Sequence, residues 1–226
     1  MTVLTEEEYY RAVPRQSLAE RLLVAARDQI FRDFQARMRP SPSDRILDVG
    51  VSDVVNAGAN FLERCYPRPG KITACGLGEG TEFQVAFPAV GYVRIDPNAH
   101  LPFDDGSFNI ATSNAVLEHV GSAQNQSFFV SELCRVAARV FISVPNRLFP
   151  IEHHTALPMV HYVDSLFQIV CRITGQSQWA QEANLILMTR GRLRRVAAPT
   201  SRSVEIGYTG LRLGPFSSNL YLAIRP

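Results

Sequence analysis

The stretch RILDVGVSDVVNAGANFLE, Arg45 to Glu63, decides the fold. It opens on a short apolar run and turns at Asp48-Val49-Gly50. It then crosses a loop of small and polar residues and settles into an amphipathic pattern. That order reads as strand, tight turn and helix. Turns of this kind hold nucleotide-like ligands, yet the stretch lacks the glycines of a GxGxxG dinucleotide fingerprint.

Working outward, strand-like and helix-like segments alternate. The strand expectations are 45–49, 71–77, 91–95, 108–113 and 139–144, each short, apolar and rich in β-branched residues, as strands buried on both faces should be. Helices are expected over 57–66, 122–137 and 158–173, and the alternation implies a parallel sheet in an α/β fold. Upstream, residues 17–38 carry Leu18, Leu22, Ala26, Ile30, Phe34 and Met38 at a spacing of four, one apolar helical stripe. Ser17 with Glu20 makes a capping box, and Pro40 and Pro42 end the pattern. Residues 1–40 are therefore read as an N-terminal helical segment, a cover or a cap, and 41–226 as the main domain. At the far end, 203–213 and 218–225 read as two strands joined by a turn at Gly214-Pro215, an antiparallel hairpin.

The bulk numbers agree with one α/β domain. The chain has 226 residues, 46% hydrophobic and 19% charged, with a formal net charge of +2. Near-neutral charge gives no general case for nucleic acid or a membrane surface as partner. Cys65, Cys75, Cys134 and Cys171 are widely spaced with no CxxC pair, which favours a reduced cytoplasmic protein with buried thiols over a disulfide framework or metal cluster. The first residues carry Glu6, Glu7 and Glu8 and no apolar core of a leader, and no apolar run reaches membrane-spanning length. Oligomeric state is not legible.

Ligands in such sheets bind beyond the carboxyl ends of the strands. Asp48 and Gly50 end the first strand, Glu79 follows the second and Asp96 tips the third. Glycine there lets the backbone turn sharply and approach a ligand closely, although Gly and Asp are also ordinary turn residues. A carboxylate after the second strand can accept both hydroxyls of a ribose, and one after the third can accept from an exocyclic amine. Phosphate cradles need N–H groups, Lys or Gly-rich turns. Carboxylates suit instead a nucleoside whose tail is cationic.

ILDVG, LPFDDGSFNIATSNAVLEHVG and VFISVPNR, running from about Asp44 through Tyr162, resemble the class I methyltransferases that use S-adenosylmethionine, in particular their small-molecule, type 11-like subgroup. The resemblance implies a Rossmann-like seven-stranded, mostly parallel sheet with an antiparallel C-terminal strand and helices on both faces. It implies S-adenosylmethionine as cofactor, with Asp48 and Gly50 at the methionine end, Glu79 at the ribose, Asp96 on the adenine side and Asn114 facing the sulfonium region. The chain departs from the family where the usual DxGCGTG becomes DVGVSDVVNAG, leaving Val51 and Ser52 as lining residues, and where Asn109 replaces an aspartate, a change expected to touch no ligand.

Methyl transfer to a hydroxyl needs a proton removed, and histidine suits that task. His119 follows the fourth strand; His153 and His154 follow the fifth. These are the candidate catalytic residues, with Glu118, Glu152, His161 and Tyr162 as candidate substrate contacts. Adjacent side chains diverge, so one of the pair His153-His154 is expected to be structural. No HExxH occurs, and no metal is expected. The arginines of 189–202 read as a solvated helix face, with an anionic substrate or lipid surface as the alternative. The function expected is methyl transfer to a small molecule or a glycan or lipid precursor, at oxygen. The rivals are a non-catalytic partner subunit that has lost cofactor binding, and a nicotinamide dehydrogenase, which the missing GxGxxG disfavours.

Overall fold

Strands with apolar side chains on both faces can be covered by helices on both sides, and this chain does so. The computed structural model describes residues 18–54 and 58–226. Five strands run parallel: β1 (Ile46–Val49), β2 (Ile72–Gly76), β3 (Gly91–Arg94), β4 (Phe108–Asn114) and β5 (Ala137–Pro145). With β6 (Ser203–Leu213) and β7 (Phe216–Arg225) they form one seven-stranded sheet in the order β3-β2-β1-β4-β5-β7-β6. β7 is antiparallel to both neighbours, β5 and β6. The turn between β6 and β7 is Gly214-Pro215, with Gly214 at φ 56°. The expected strands and hairpin are all present, and the expected Rossmann-like sheet is the one observed.

Alternation along the strands divides the core. In β1, Ile46 packs on one side and Leu47 and Val49 on the other. The Ile46 side is covered by α1 (Leu18–Met38), α2 (Phe61–Cys65) and α3 (Thr81–Ala86), through Ile30, Phe34, Phe61, Leu62 and Phe83. The Leu47 side is covered by α4 (Ala123–Val136) and α6 (Arg190–Ala197), through Val130, Leu133, Val136, Leu193 and Val196. A further helix, α5 (Asp164–Ile173), seats Phe167 and Cys171 in a satellite cluster with Leu185.

The N-terminal stripe is buried from Ala26 through Met38, whereas Leu22 is 47% exposed. Phe34 meets Phe141 edge to face at 5.7 Å, and Asp33 accepts a hydrogen bond from the Thr209 hydroxyl. The proposed Ser17 cap lies outside the described residues.

Several boundaries differ from expectation for local reasons. The helix expected at 57–66 is one turn, Phe61–Cys65, and the residue before it, Asn60, has φ 51°. The helix expected at 158–173 begins at Asp164, behind a 3₁₀ turn at Val160–Tyr162 that follows Met159 at φ 56°. α3 was not anticipated; its first turn is held by Asp53, whose carboxylate accepts from the Thr81 and Phe83 amides at 3.2 and 2.9 Å. The arginine-rich stretch is a helix with a solvated face: Leu193, Val196 and Ala197 are buried while Arg194 and Arg195 point outward. All four cysteines are free; Cys75 and Cys171 are buried as expected, but Cys65 is exposed at the end of α2.

Candidate functional site

β1 lies between β2 and β4, so the chain leaves the carboxyl end of β1 toward one half of the sheet and the carboxyl end of β4 toward the other. A crevice opens where the two directions part. The structure has a cleft there of about 250 Å³, bordered by Gly50, Gly76, Asp96, Asn114, His119 and Trp179 among others.

Gly50 is at φ 97°, and its amide and that of Val51 both donate to the Cys75 carbonyl, at 2.8 and 3.0 Å. A Cβ on Gly50 would fall 2.2 Å from Val116 Cγ2, and one on Gly76 would fall 2.7 Å from the Tyr92 hydroxyl. At both glycines, which border the cleft, the space a Cβ would need is already filled by the protein itself, so no side chain fits. The loop after Gly50 is closed by side chains. The Asn60 amide donates to the Ser52 carbonyl at 2.8 Å, and its oxygen accepts from the Ser52 amide at 2.9 Å.

Of the expected cofactor residues, Gly50, Asp96 and Asn114 border the cleft, and Asp48, Val51, Ser52 and Glu79 do not. Each of the four has a physical reason. Asp48 is on the Ile46 face of β1, buried against Glu63. Burial and then the Glu63 carboxyl push Asp48 well above its usual range, and burial raises Glu63 to about 7. Two carboxyls buried beside each other hold two charges only at high cost. Val51 is in the core with α2 and α3. Ser52 is spent on loop closure; its hydroxyl accepts from the Val54 amide. Glu79 is exposed and ion-paired with Arg94. Asn109 touches no part of the cleft and accepts from the Arg45 amide at the entry to β1.

The inner end of the cleft has a polar contact that was not anticipated. Arg27 of α1 is 4% exposed and donates through Nη1 to Asn114 Oδ1 at 2.6 Å. The Ser143 hydroxyl donates to the same oxygen. With Oδ1 held from two sides, the Asn114 amide nitrogen is oriented. Arg27 sits one position from Ala26 in the helical stripe, and this is the one signal that could have marked it as inward-facing. Glu132, on the opposite wall, accepts from the Leu101 amide and from Arg135, which holds it at about 2.

The histidine cluster lies beside this cleft. His119 ends the 3₁₀ turn Leu117–His119 after β4 and borders the cleft; His154 lies in the loop after β5. Their Nε2 atoms are 3.1 Å apart. His119 Nδ1 is 2.6 Å from the Asn184 carbonyl, and His154 Nδ1 is 2.8 Å from Glu152 Oε1. Carbonyl and carboxylate oxygens only accept, so both Nδ1 atoms are the protonated ones. Burial, followed by the charge of His154, lowers His119 to about 4. Glu152 Oε2 also accepts from the His154 and Thr155 amides and the Thr155 hydroxyl. Burial alone would raise Glu152, but His154 and Thr155 bring it to about 2. Glu118 is 1% exposed, and neither of its oxygens has a hydrogen-bond partner among the described residues. Burial raises it to about 7. Trp179 stacks at a tilt on His154, with ring centroids 4.9 Å apart.

Of the expected catalytic and substrate residues, His119 alone borders the cleft. Glu118, Glu152, His153, His154 and His161 border a neighbouring small cavity of about 10 Å³, room for about one water molecule. His153 and His154 diverge: His153 turns to the Phe149 ring, His154 to His119. His161 donates to the Phe149 carbonyl. Tyr162 is partly exposed and donates to the Leu148 carbonyl, away from the cleft. Trp179, Ala183 and Asn184, which complete the wall around His119, come from a segment with no regular pattern and were not expected. No helix among the described residues is long and apolar enough to cross a membrane.

Comparison with known proteins fits this geometry. Residues 73–139 match the model of a methyltransferase domain. No curated protein sequence matches the chain. Among solved structures, a SAM dependent methyltransferase from Aquifex aeolicus is 13% identical with a TM-score of 0.60, the match covering 96% of each chain. Magnesium protoporphyrin IX methyltransferase from Synechocystis PCC 6803, solved with bound SAH, is also 13% identical with a TM-score of 0.61; 99% of this chain and 96% of that one are covered. A methyltransferase dependent on S-adenosylmethionine from Mesorhizobium loti is 16% identical with a TM-score of 0.57, over 90% of this chain and 100% of that one.

Proposed function

We propose that the chain is an S-adenosylmethionine-dependent methyltransferase, and that the methyl group goes to an oxygen of a small molecule or of a glycan or lipid precursor. The observation that carries this reading is the place of His119. It borders the same cleft as Gly50, Asp96 and Asn114, and its Nδ1 proton is committed to Asn184, so that Nε2 presents a lone pair.

The cleft fits the cofactor by its chemistry. Gly50 and Gly76 keep side chains of their own out of the cleft wall, Asp96 offers an acceptor on the side of β3, and the amide of Asn114 is aimed by Arg27 and Ser143. S-adenosylmethionine, when bound, supplies a methyl carbon made electrophilic by the adjoining sulfonium. The protein's own part is to hold the acceptor in line, exclude water and receive a proton. Positioning supplies much of such an acceleration. The proton of an acceptor hydroxyl is received on the Nε2 side of the His119–His154 pair, and the Glu152 carboxylate behind His154 offsets the resulting charge. Glu152 and His154 act here as positioning residues, since neither borders the cleft.

Calorimetric titration with S-adenosylmethionine, followed by transfer of a labelled methyl group into metabolite and envelope-precursor extracts, tests the reading. Binding together with an alkali-stable labelled product of ether type supports it. A folded chain that binds no cofactor would instead be a partner subunit, and a labelled amine product would move the acceptor from oxygen to nitrogen.

A further inference from the structure

Two imidazoles with both Nδ1 atoms donating elsewhere present lone pairs to each other across 3.1 Å. A proton shared between the two nitrogens or a bound cation satisfies such a contact. A shared proton would answer for the imidazoles alone. It would leave Glu118, a buried carboxyl with two unpartnered oxygens, facing the same place: Glu118 Oε1 is 4.0 Å from His119 Nε2. One donor atom from each of Glu118, His119 and His154 lies within 4.8 Å of the others. We propose that Glu118, His119 and His154 form a binding site for a divalent first-row transition-metal ion of the zinc, cobalt or iron(II) type.

Four features of the cluster point the same way. The first is the donor set: two imidazoles and one carboxylate suit such ions better than Mg²⁺ or Ca²⁺, which prefer all-oxygen shells. The second is spacing. Two nitrogens bound tetrahedrally to zinc lie about 3.3 Å apart, close to the 3.1 Å observed, and Glu118 Oε1 is 4.0 Å from His119 Nε2. The third is the backing of each ligand. Metal-bound histidines ordinarily donate their other N–H to a carbonyl or carboxylate, which fixes tautomer and ring angle; here Asn184 and Glu152 fill those roles. The fourth is access. His119 and Trp179 border the cleft, so a three-ligand ion has a side on which an acceptor oxygen can enter. This reverses the expectation from sequence that no metal binds. No local pattern marks the site in the sequence, because Glu118-His119 and His154 belong to different strand exits and no motif links them.

The ion site stands on its own donors; only its use in methyl transfer rests on the proposed function. In that use the ion would take the place of the imidazole pair as the group that activates the acceptor: with His119 Nε2 and His154 Nε2 held as ligands, the acceptor hydroxyl would bind the ion and lose its O–H proton to solvent, and the C–O bond would form as the methyl C–S bond breaks, leaving a neutral thioether and the ion's charge unchanged.

The chain has a single tryptophan, Trp179, with its ring 4.9 Å from His154 and 6.1 Å from His119. Its fluorescence therefore reports on the site. The full chain is dialysed against EDTA, freed of chelator and titrated with Co²⁺, following Trp179 quenching and the visible absorption of bound cobalt; Zn²⁺ competition is read by calorimetry. The expected result is one saturable equivalent, displaced by Zn²⁺, with affinity about tenfold weaker or worse in His119→Ala, His154→Ala and Glu118→Gln and unchanged in His100→Ala, a histidine outside the cluster. Circular dichroism melts accompany each variant, and Glu118→Gln, which keeps volume, serves where an alanine variant fails to fold. Absence of a saturable response, or equal affinity in folded Glu118→Gln and His154→Ala, overturns the site. S-adenosylmethionine is titrated separately: cofactor binding without cobalt binding sinks the ion and spares the methyltransferase reading, and the converse sinks that reading alone.

Discussion

Gly50 and Val116 are packed so closely that the turn after β1 and the turn after β4 have one shape between them: a Cβ on Gly50 would come within 2.2 Å of Val116 Cγ2. With Gly50 also at φ 97°, any side chain meets both a steric and a backbone penalty. Gly50→Ala should cost about 2–4 kcal/mol of stability and weaken S-adenosylmethionine binding about tenfold or more. Urea melts and calorimetry measure the two. Adding Val116→Ala should recover the steric part only, a coupling that a double-mutant cycle resolves; a neutral Gly50→Ala would show that the turn is looser than drawn.

Asp96 and Glu79 should separate. Asp96→Ala removes the one carboxylate at the β3 side of the cleft and should weaken cofactor binding by about 1–3 kcal/mol. Glu79 pairs with Arg94 at the surface, so Glu79→Ala should change affinity by less than about 1 kcal/mol. The reverse ranking would restore Glu79 as the ribose contact.

Arg27 orients Asn114 from α1. Arg27→Met keeps much of the buried stem and removes the guanidinium. The Asn114 amide is then free to rotate, and cofactor affinity should fall by about 1.5–3 kcal/mol, the usual worth of a hydrogen bond to a charged group. Unaltered affinity in a folded variant would confine Arg27 to a packing role.

His119→Ala should lower turnover about 100-fold or more, the range for a lost group acting on a proton, while leaving S-adenosylmethionine affinity within about threefold. Single-turnover kinetics beside calorimetry separates the two quantities. Equal losses in both would move His119 from the acceptor to the cofactor.

The Asp48–Glu63 pair gives stability a pH dependence of definite sign. Glu63 has its carboxyl raised from 4.5 to about 7 by burial, and Asp48 is raised as well. The folded chain therefore holds these protons more tightly than the unfolded one. Their contribution is complete below about pH 4.5, is lost as pH rises toward about 7, and stays lost above. The melting temperature of the chain should fall between pH 5 and pH 8, and Glu63→Gln, which cannot ionise, should flatten that fall. Identical pH slopes for the two proteins would refute the assignment.

The strands were legible because a strand covered on both faces must be apolar throughout, and RILDV, KITAC and RVFISV carry that mark without reference to anything distant. The acids at their tips were harder to place. Position after a strand says which end of the sheet a residue occupies, but not where its side chain goes. Asp48 shares the face of Ile46, two residues earlier, and so turns to α2. Glu79 found Arg94, fifteen residues on. α3 depends on a cap from Asp53, and His119 gains its neighbour from a loop 35 residues away. Such pairings follow from tertiary placement, and no local period encodes them. Gly50, Asp96, Asn114 and His119 could be read as lying near the cleft because their positions depend only on strand order.

The antiparallel β7 fills an interior place in the sheet, between β5 and β6. During synthesis β5 is therefore complete some seventy residues before the strand that covers its edge. Until residues 216–225 emerge, its row of amides and carbonyls is open to any passing extended chain. Nascent chains stalled before β7 should engage chaperones and clump, whereas those released after it should close the sheet and escape.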